Sequence, residues 1–138
     1  MITHNFQDLH FILSDAYPKA EAKFKELHPS LPQPFRTCTY RSNEEQDQLF
    51  LQKPKVTKAK AGQSPHNYTP SFAFDIAFIG VNRKLDWSKD LFEKFAIILK
   101  EIEPRIEWGG SWLKFKDAPH FQLFNWTNYK NAKYGNII

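Results

Sequence analysis

Cysteine is almost missing from this chain: Cys38 is the single one among 138 residues. That excludes an internal disulfide and a zinc site built from paired cysteines, so a metal could be held only by histidine and carboxylate. No apolar run approaches the roughly 18 residues that a membrane span needs, so membrane insertion is not expected. The first seventeen residues lack a basic start followed by an apolar stretch and carry Asp8, His10 and Asp15 instead. No secretory signal is read there, and the expected location is the cytoplasm until something else releases the protein. No repeat, low-complexity tract or Gly/Ser linker divides the sequence, so residues 1–138 read as one domain, expected to be monomeric.

Hydrophobic residues make up 41% and charged residues 25%, which is an ordinary globular balance. Aromatics reach 16%, with thirteen Phe and four Trp, enough for a dense core, an aromatic-lined groove, or both. The net charge of +4 points to anionic partners such as nucleic acid, anionic lipid or the bacterial envelope. Nucleic acid calls for lysine and arginine interleaved with exposed aromatics. Only residues 53–60 come near, with Lys53, Lys55, Lys58 and Lys60, and they contain no aromatic. No nucleic-acid partner is therefore expected; these lysines read as a solvated loop or as a contact for an anionic polymer.

Helices are predicted over residues 6–14 and 17–27, with Pro18 at the start of the second. A proline-rich loop follows, then a strand at 35–40. Ser42 caps a helix to about residue 52, with Glu45 at the capping-box spacing. Residues 72–79 read Phe-Ala-Phe-Asp-Ile-Ala-Phe-Ile, a strand apolar but for Asp75. Ser88 caps an amphipathic helix to about residue 103, with Leu91, Phe92, Phe95, Ile98, Leu99 and Ile102 on its buried face. Short strands follow at 106–108 and 119–124, and the polar tail from Asn125 is expected to wrap the surface. Helices and strands mix without βαβ alternation, so the predicted class is α+β, a small antiparallel sheet with helices packed on it.

Asp75 is the most informative residue. Burying an unpaired carboxylate costs several kcal/mol, of the order of about 3–5. It needs a cation, strong hydrogen-bond donors or a metal. His66 lies in a loop opened by Ser64-Pro65 and His120 in the last strand; each alone reads as a surface or core histidine. Two histidines and an aspartate together form a three-ligand set with a fourth position open, the pattern of a catalytic zinc site. Such a site uses a general base, and Asp117 lies three residues before His120, although an Asp two residues before a proline is also a common turn residue. Arg41 offers a fork of donors suited to a carboxylate, a developing oxyanion or a surface salt bridge. Tyr68, Trp108 and Trp112 are candidates to line a groove, or core.

In order along the chain stand Tyr40-Arg41-Ser42, Glu44-Glu45-Gln46, Ser64-Pro65-His66-Asn67-Tyr68, Ala73-Phe74-Asp75, Glu107-Trp108-Gly109-Gly110-Ser111-Trp112 and Asp117-Ala118-Pro119-His120-Phe121-Gln122. This ordered set, within about residues 35–122, resembles the VanY/VanX-type D-alanyl-D-alanine peptidases, zinc enzymes of Hedgehog-type fold. Within them it is most similar to the L-alanyl-D-glutamate endopeptidase and phage endolysin branch. The resemblance implies one zinc ion held by His66, Asp75 and His120, Asp117 as general base and proton donor, and Arg41 as oxyanion stabiliser. It also implies that Ser64 shapes a substrate pocket to which Tyr68, Trp108 and Trp112 contribute. The family's usual spacing between the first His and the Asp is seven; here it is nine, with Thr69-Pro70-Ser71 in the stretch. Two extra residues keep strand parity, so Asp75 can return to the same place.

The expected function is zinc-dependent hydrolysis of the L-Ala–D-Glu-type bond in peptidoglycan peptide stems, by a phage or prophage endolysin acting in the periplasm or wall. One alternative is a D,D-carboxypeptidase or D-Ala-D-Ala dipeptidase with the same metal site. Another is a non-catalytic wall-binding module, which would have no use for Asp117.

Overall fold

The alternation of side chains along residues 72–79 decides the architecture. The structure is a computed structural model and describes residues 1–130. Strand β2 (Ala73–Ile79) turns Phe74, Ile76 and Phe78 into the hydrophobic core. Successive strand side chains point to opposite faces, so Ala73, Asp75 and Ala77 look the other way.

Three helices and five strands are present among the described residues: α1 (Phe11–Leu27), β1 (Gln33–Cys38), α2 (Asn43–Leu51), β2, β3 (Leu85–Asp86), α3 (Lys89–Ile102), β4 (Ile106–Trp108) and β5 (His120–Leu123). The strands form one antiparallel sheet, ordered β1-β2-β5-β4, with β3 pairing the end of β2. The predicted α+β class is what is found. No helix among the described residues is long and apolar enough to cross a membrane.

Helices α1 and α3 cover one face of the sheet. Tyr17 meets Phe74 at 5.2 Å between ring centroids, Phe24 meets Phe78 at 5.5 Å, and Phe95 meets Phe121 at 5.5 Å. The aromatic surplus is thus largely core. Leu91, Phe92, Phe95, Ile98 and Leu99 of α3 are buried, as its 3.6-residue period requires, and Ile102 is half-buried.

Two local expectations are corrected. Pro18 lies inside one continuous helix, α1, and only a short 3-10 turn, Phe6–Asp8, precedes it. Pro18 is exposed, so the Ser14 carbonyl it leaves unbonded lies towards solvent, while Leu13, Ala16, Tyr17 and Ala20 bury the other side. Ser88 stands at the N-cap of α3 but bonds the Asp86 carboxylate with its hydroxyl rather than the helix. By contrast Ser42 accepts the Glu45 N–H at 3.3 Å, as its spacing predicts. Of the tail, Trp126 and Tyr129 pack against Phe72; residues 131–138 lie outside the described residues.

Phe74→Ala removes a fully buried ring between Tyr17 and Phe121. It should cost about 3–5 kcal/mol of unfolding free energy in a denaturant titration. A loss below about 1 kcal/mol would show that the helices do not depend on this sheet face.

Candidate functional site

The face of the sheet away from the helices carries the polar residues, and strand register lines them up. Asp75 is paired with His120 of β5 on one side and with Cys38 of β1 on the other. The row Cys38–Asp75–His120 therefore runs straight across three strands. Cys38 joins it only because of a bulge. Arg36 faces the helices, its guanidinium 4.7 Å from the Tyr17 ring, and lies opposite Ile76; one extra residue, Thr37, then brings Cys38 opposite Asp75. A bulge of this kind switches parity and re-aims the side chain.

His66 is added from outside the sheet. It sits in the 3-10 turn Pro65–Asn67, where Ser64 accepts the His66 N–H at 3.2 Å and Asn67 closes the box by accepting from Ser64 N at 3.1 Å. The turn is tied to Arg41 by its N–H to the His66 carbonyl at 2.9 Å and by Asn67 to its carbonyl at 2.9 Å.

Both imidazoles converge on one oxygen. His66 Nε2 is 3.3 Å and His120 Nδ1 2.9 Å from Asp75 Oδ1. Their far nitrogens are each held by an acceptor. His66 Nδ1 donates to the Thr39 carbonyl at 2.9 Å, a carbonyl that also accepts from Ser71 Oγ at 2.6 Å. His120 Nε2 donates to Gln122 Oε1 at 2.7 Å, and Gln122 Nε2 donates to Glu107 Oε1 at 2.6 Å. The Glu107 carboxylate can only accept, so it fixes which way the Gln122 amide faces. That in turn fixes the proton on His120 Nε2 and turns Nδ1 towards Asp75. Burial favours neutral His66, but the Asp75 carboxylate beside it overrides this and raises its pKa to about 10. Burial likewise opposes the charge on Asp75, and His66 and His120 hold its carboxyl well below the usual range.

This donor set fits a divalent metal: two oriented imidazole nitrogens and a carboxylate at one point, with the outer nitrogens engaged. Among the described residues, the trio whose donor atoms all lie within 4.8 Å of one another is Cys38, His66 and Asp75. The Cys38 thiol, however, lies 3.6 Å from His66 Nδ1, the nitrogen already bonded to Thr39, whereas Asp75 faces Nε2.

Arg41 brings its guanidinium to 3.6 Å from Asp75 Oδ2, with Gln46 accepting from it at 3.0 Å. Asp117 is set by backbone. Its N–H bonds the Gly109 carbonyl at 3.0 Å and its carbonyl accepts from His120 N at 3.1 Å. A side chain at Gly109 would sit 2.5 Å from the Asp117 carbonyl, and one at Gly110 2.1 Å from the Trp108 ring, so this approach requires glycine. Although the residue as a whole is exposed, protein packed around its carboxyl raises the Asp117 pKa. The charge of Asp75 adds to this, while those of His120, His66 and Arg41 oppose it.

Of the aromatic groove candidates only Trp112 reaches the site, 5.5 Å from the His120 ring. Trp108 pairs with Phe121 and so faces the helices; its indole N–H holds the Ala118 carbonyl at 2.7 Å. Tyr68 packs on Phe72 and Trp126, both at 5.6 Å, and its hydroxyl bonds the Gly62 carbonyl. Ser64 spends its hydroxyl on the turn that carries His66. Sequence reading missed Gln122 and Glu107. Their signal was register: Glu107, Gln122 and Ala73 form the next row across the sheet, on the same face as Asp75.

The D-alanyl-D-alanine carboxypeptidase family model matches residues 57–123, a stretch that holds His66, Asp75, Asp117 and His120. That model belongs to the family the sequence resembles. Over 103 residues the chain is 34% identical to the peptidoglycan L-alanyl-D-glutamate endopeptidase CwlK of Bacillus subtilis, an alignment covering 61% of this chain and 56% of that protein. The chain thus spans just over half the length of that relative. Its fold is similar to that of the L-Ala D-Glu endopeptidase ChiX of Serratia marcescens, with a TM-score of 0.58 at 21% identity over 91% of this chain and 87% of that one.

Metal analysis separates the two donor sets. His120→Ala should lose the bound metal while Cys38→Ser retains it; the reverse pattern would transfer the third ligand to the thiol. Gln122→Leu leaves the His120 ring unanchored and should weaken metal affinity by about 10–100-fold. An unchanged affinity in a chelator competition would reduce Gln122 to packing.

Proposed function

We propose that this protein is a zinc-dependent peptidoglycan endopeptidase that hydrolyses the L-Ala–D-Glu-type bond of the wall peptide stem. The observation that carries the reading is the convergence of His66 and His120 on Asp75 Oδ1, each with its outer nitrogen held. Its similarity to two endopeptidases of this specificity supports the choice of bond. His66, Asp75 and His120 would hold the ion. When bound, zinc supplies Lewis acidity that polarises a carbonyl and lowers the pKa of water to about 7.

The chain's own groups do the rest. Asp117 accepts the proton of the attacking water and returns it to the leaving amine nitrogen. Its raised pKa suits it to both halves of that cycle. Arg41, already turned towards the site, offers N–H donors to the carbonyl oxygen as negative charge develops there. Trp112 flanks His120 and forms one wall for the peptide.

The test is digestion of purified peptidoglycan, with and without chelator, read by mass spectrometry. New L-Ala and D-Glu-type ends that vanish on chelation and return with zinc are expected. Release of terminal D-Ala would instead assign a carboxypeptidase, and no cleavage of wall or free dipeptide would leave a binding module. Asp117→Asn should keep the metal and lower turnover by about 10²–10⁴-fold. Because a general base works deprotonated, wild-type activity should fall as pH drops through the Asp117 pKa, and this acid limb should lie above the ordinary aspartate value of 3.8. Near-normal turnover of the variant would remove Asp117 from the mechanism.

A further inference from the structure

A cleft of about 610 Å³ opens beside Asp117, between the segment 55–58 and the segment 112–117. Its lining is Lys55, Val56, Thr57 and Lys58 on one side and Trp112, Phe115, Lys116 and Asp117 on the other. The size suits a short peptide segment. The two walls meet where the Lys58 ammonium lies 3.5 Å from the centroid of the Phe115 ring. Phe115 holds this position with a φ of +56° while 65% exposed. That is the left-handed region, which a bulky side chain adopts only where its surroundings impose it.

Apart from Asp117 at its edge, the charged residues lining the cleft are the lysines Lys55, Lys58 and Lys116. From Gln48 to Phe74 there is no Asp or Glu, and from Gly109 to Lys116 there is none either. Those two stretches carry Lys53, Lys55, Lys58, Lys60, Lys114 and Lys116. An apolar floor with lysines on both walls recognises an acidic, partly apolar chain. The metal-ligand set uses none of these lysines.

Resting on the endopeptidase reading, we infer that this cleft binds the part of the peptide stem next to the scissile bond through that part's free carboxylates. The lysines then select stems with free carboxylates over stems in which those groups are amidated. The cleft shares Asp117 and Trp112 with the candidate site, so whatever fills it is contiguous with the bond being cut. This favours a stem peptide over a wall polymer bound at a distance.

The test compares two synthetic stem peptides that differ only in free carboxylate or carboxamide on the acidic residues. Binding to the full chain is followed by tryptophan fluorescence, and turnover is measured in parallel. An exposed ion pair is worth up to about fivefold. With two such pairs, one to each of two lysines, the carboxylate peptide should bind about tenfold more tightly, and Lys58→Gln with Lys116→Gln should erase that preference through Kd and KM. Lys84→Gln, in the turn between β2 and β3, should leave it intact. The preference should also shrink as salt rises. Equal binding of the two peptides would overturn the inference, as would a preference that survives the double substitution. So would lysine-dependent binding of a phosphate-backbone wall polymer with no discrimination between the peptides. Lysine-dependent discrimination in binding without cleavage would sustain the cleft assignment and defeat the endopeptidase reading, so the two fail separately.

Discussion

A single carboxylate in the central strand of the sheet sets the terms for everything around it. Asp75 stands among Phe74, Ile76 and Phe78, and strand parity sends it to the face that the helices leave uncovered. Left alone there it would cost several kcal/mol, of the order of about 3–5. The register of β2 with β5 brings His120 directly opposite, and the turn at His66 closes over it. The fold therefore does not simply tolerate a half-buried charge. It places positive or metal-binding partners wherever that charge requires them, and the same partners are the chemistry of the site.

The partners are themselves constrained one step further out. An imidazole is a useful ligand only when its proton sits on the far nitrogen. The chain arranges this twice by different means. For His66 the acceptor is a backbone carbonyl, Thr39, located by the strand it follows and braced by Ser71. For His120 it is a side-chain amide, oriented by a carboxylate on the next strand. Backbone acceptors are insensitive to residue type, so nothing at Thr39 announces its part. The Gln122–Glu107 pair depends on side chains and is the more fragile of the two supports.

Much of this was legible in the sequence because it rests on local rules. A lone Asp in an apolar strand, a long helix with a clear period, and a serine three residues before Glu45 each carry their meaning within a few positions. What was not legible depended on pairing between strands. Trp108 looked like a groove residue until its register with Phe121 turned it towards the helices. Cys38 lay two residues beyond Arg36, which faces Tyr17, and only the extra residue at Thr37 turns it to Asp75. Pro18 suggested a helix start, but burial of Leu13, Ala16, Tyr17 and Ala20 outweighed one missing hydrogen bond on the exposed side.

The stretch between His66 and Asp75, two residues longer than the spacing of the family it resembles, is anchored at its sheet end. An insertion is absorbed where the chain is not paired. Residues 69–70 lie before the anchor at Ser71, whose N–H bonds the Asp8 carbonyl and whose hydroxyl bonds the Thr39 carbonyl, both within 2.8 Å. From Ala73 to Asp75 the ladder with β5 fixes which face each side chain takes. Tyr68, which precedes residues 69–70, packs on the Phe72 and Trp126 rings. With Tyr68 withdrawn, the aromatic wall on the open side consists of Trp112 and Phe115, the same residues that face the lysine segment. The unpaired residues 69–70 and the sheet-borne Asp75 are thus held by separate contacts, so a change of length in the first need not displace the second.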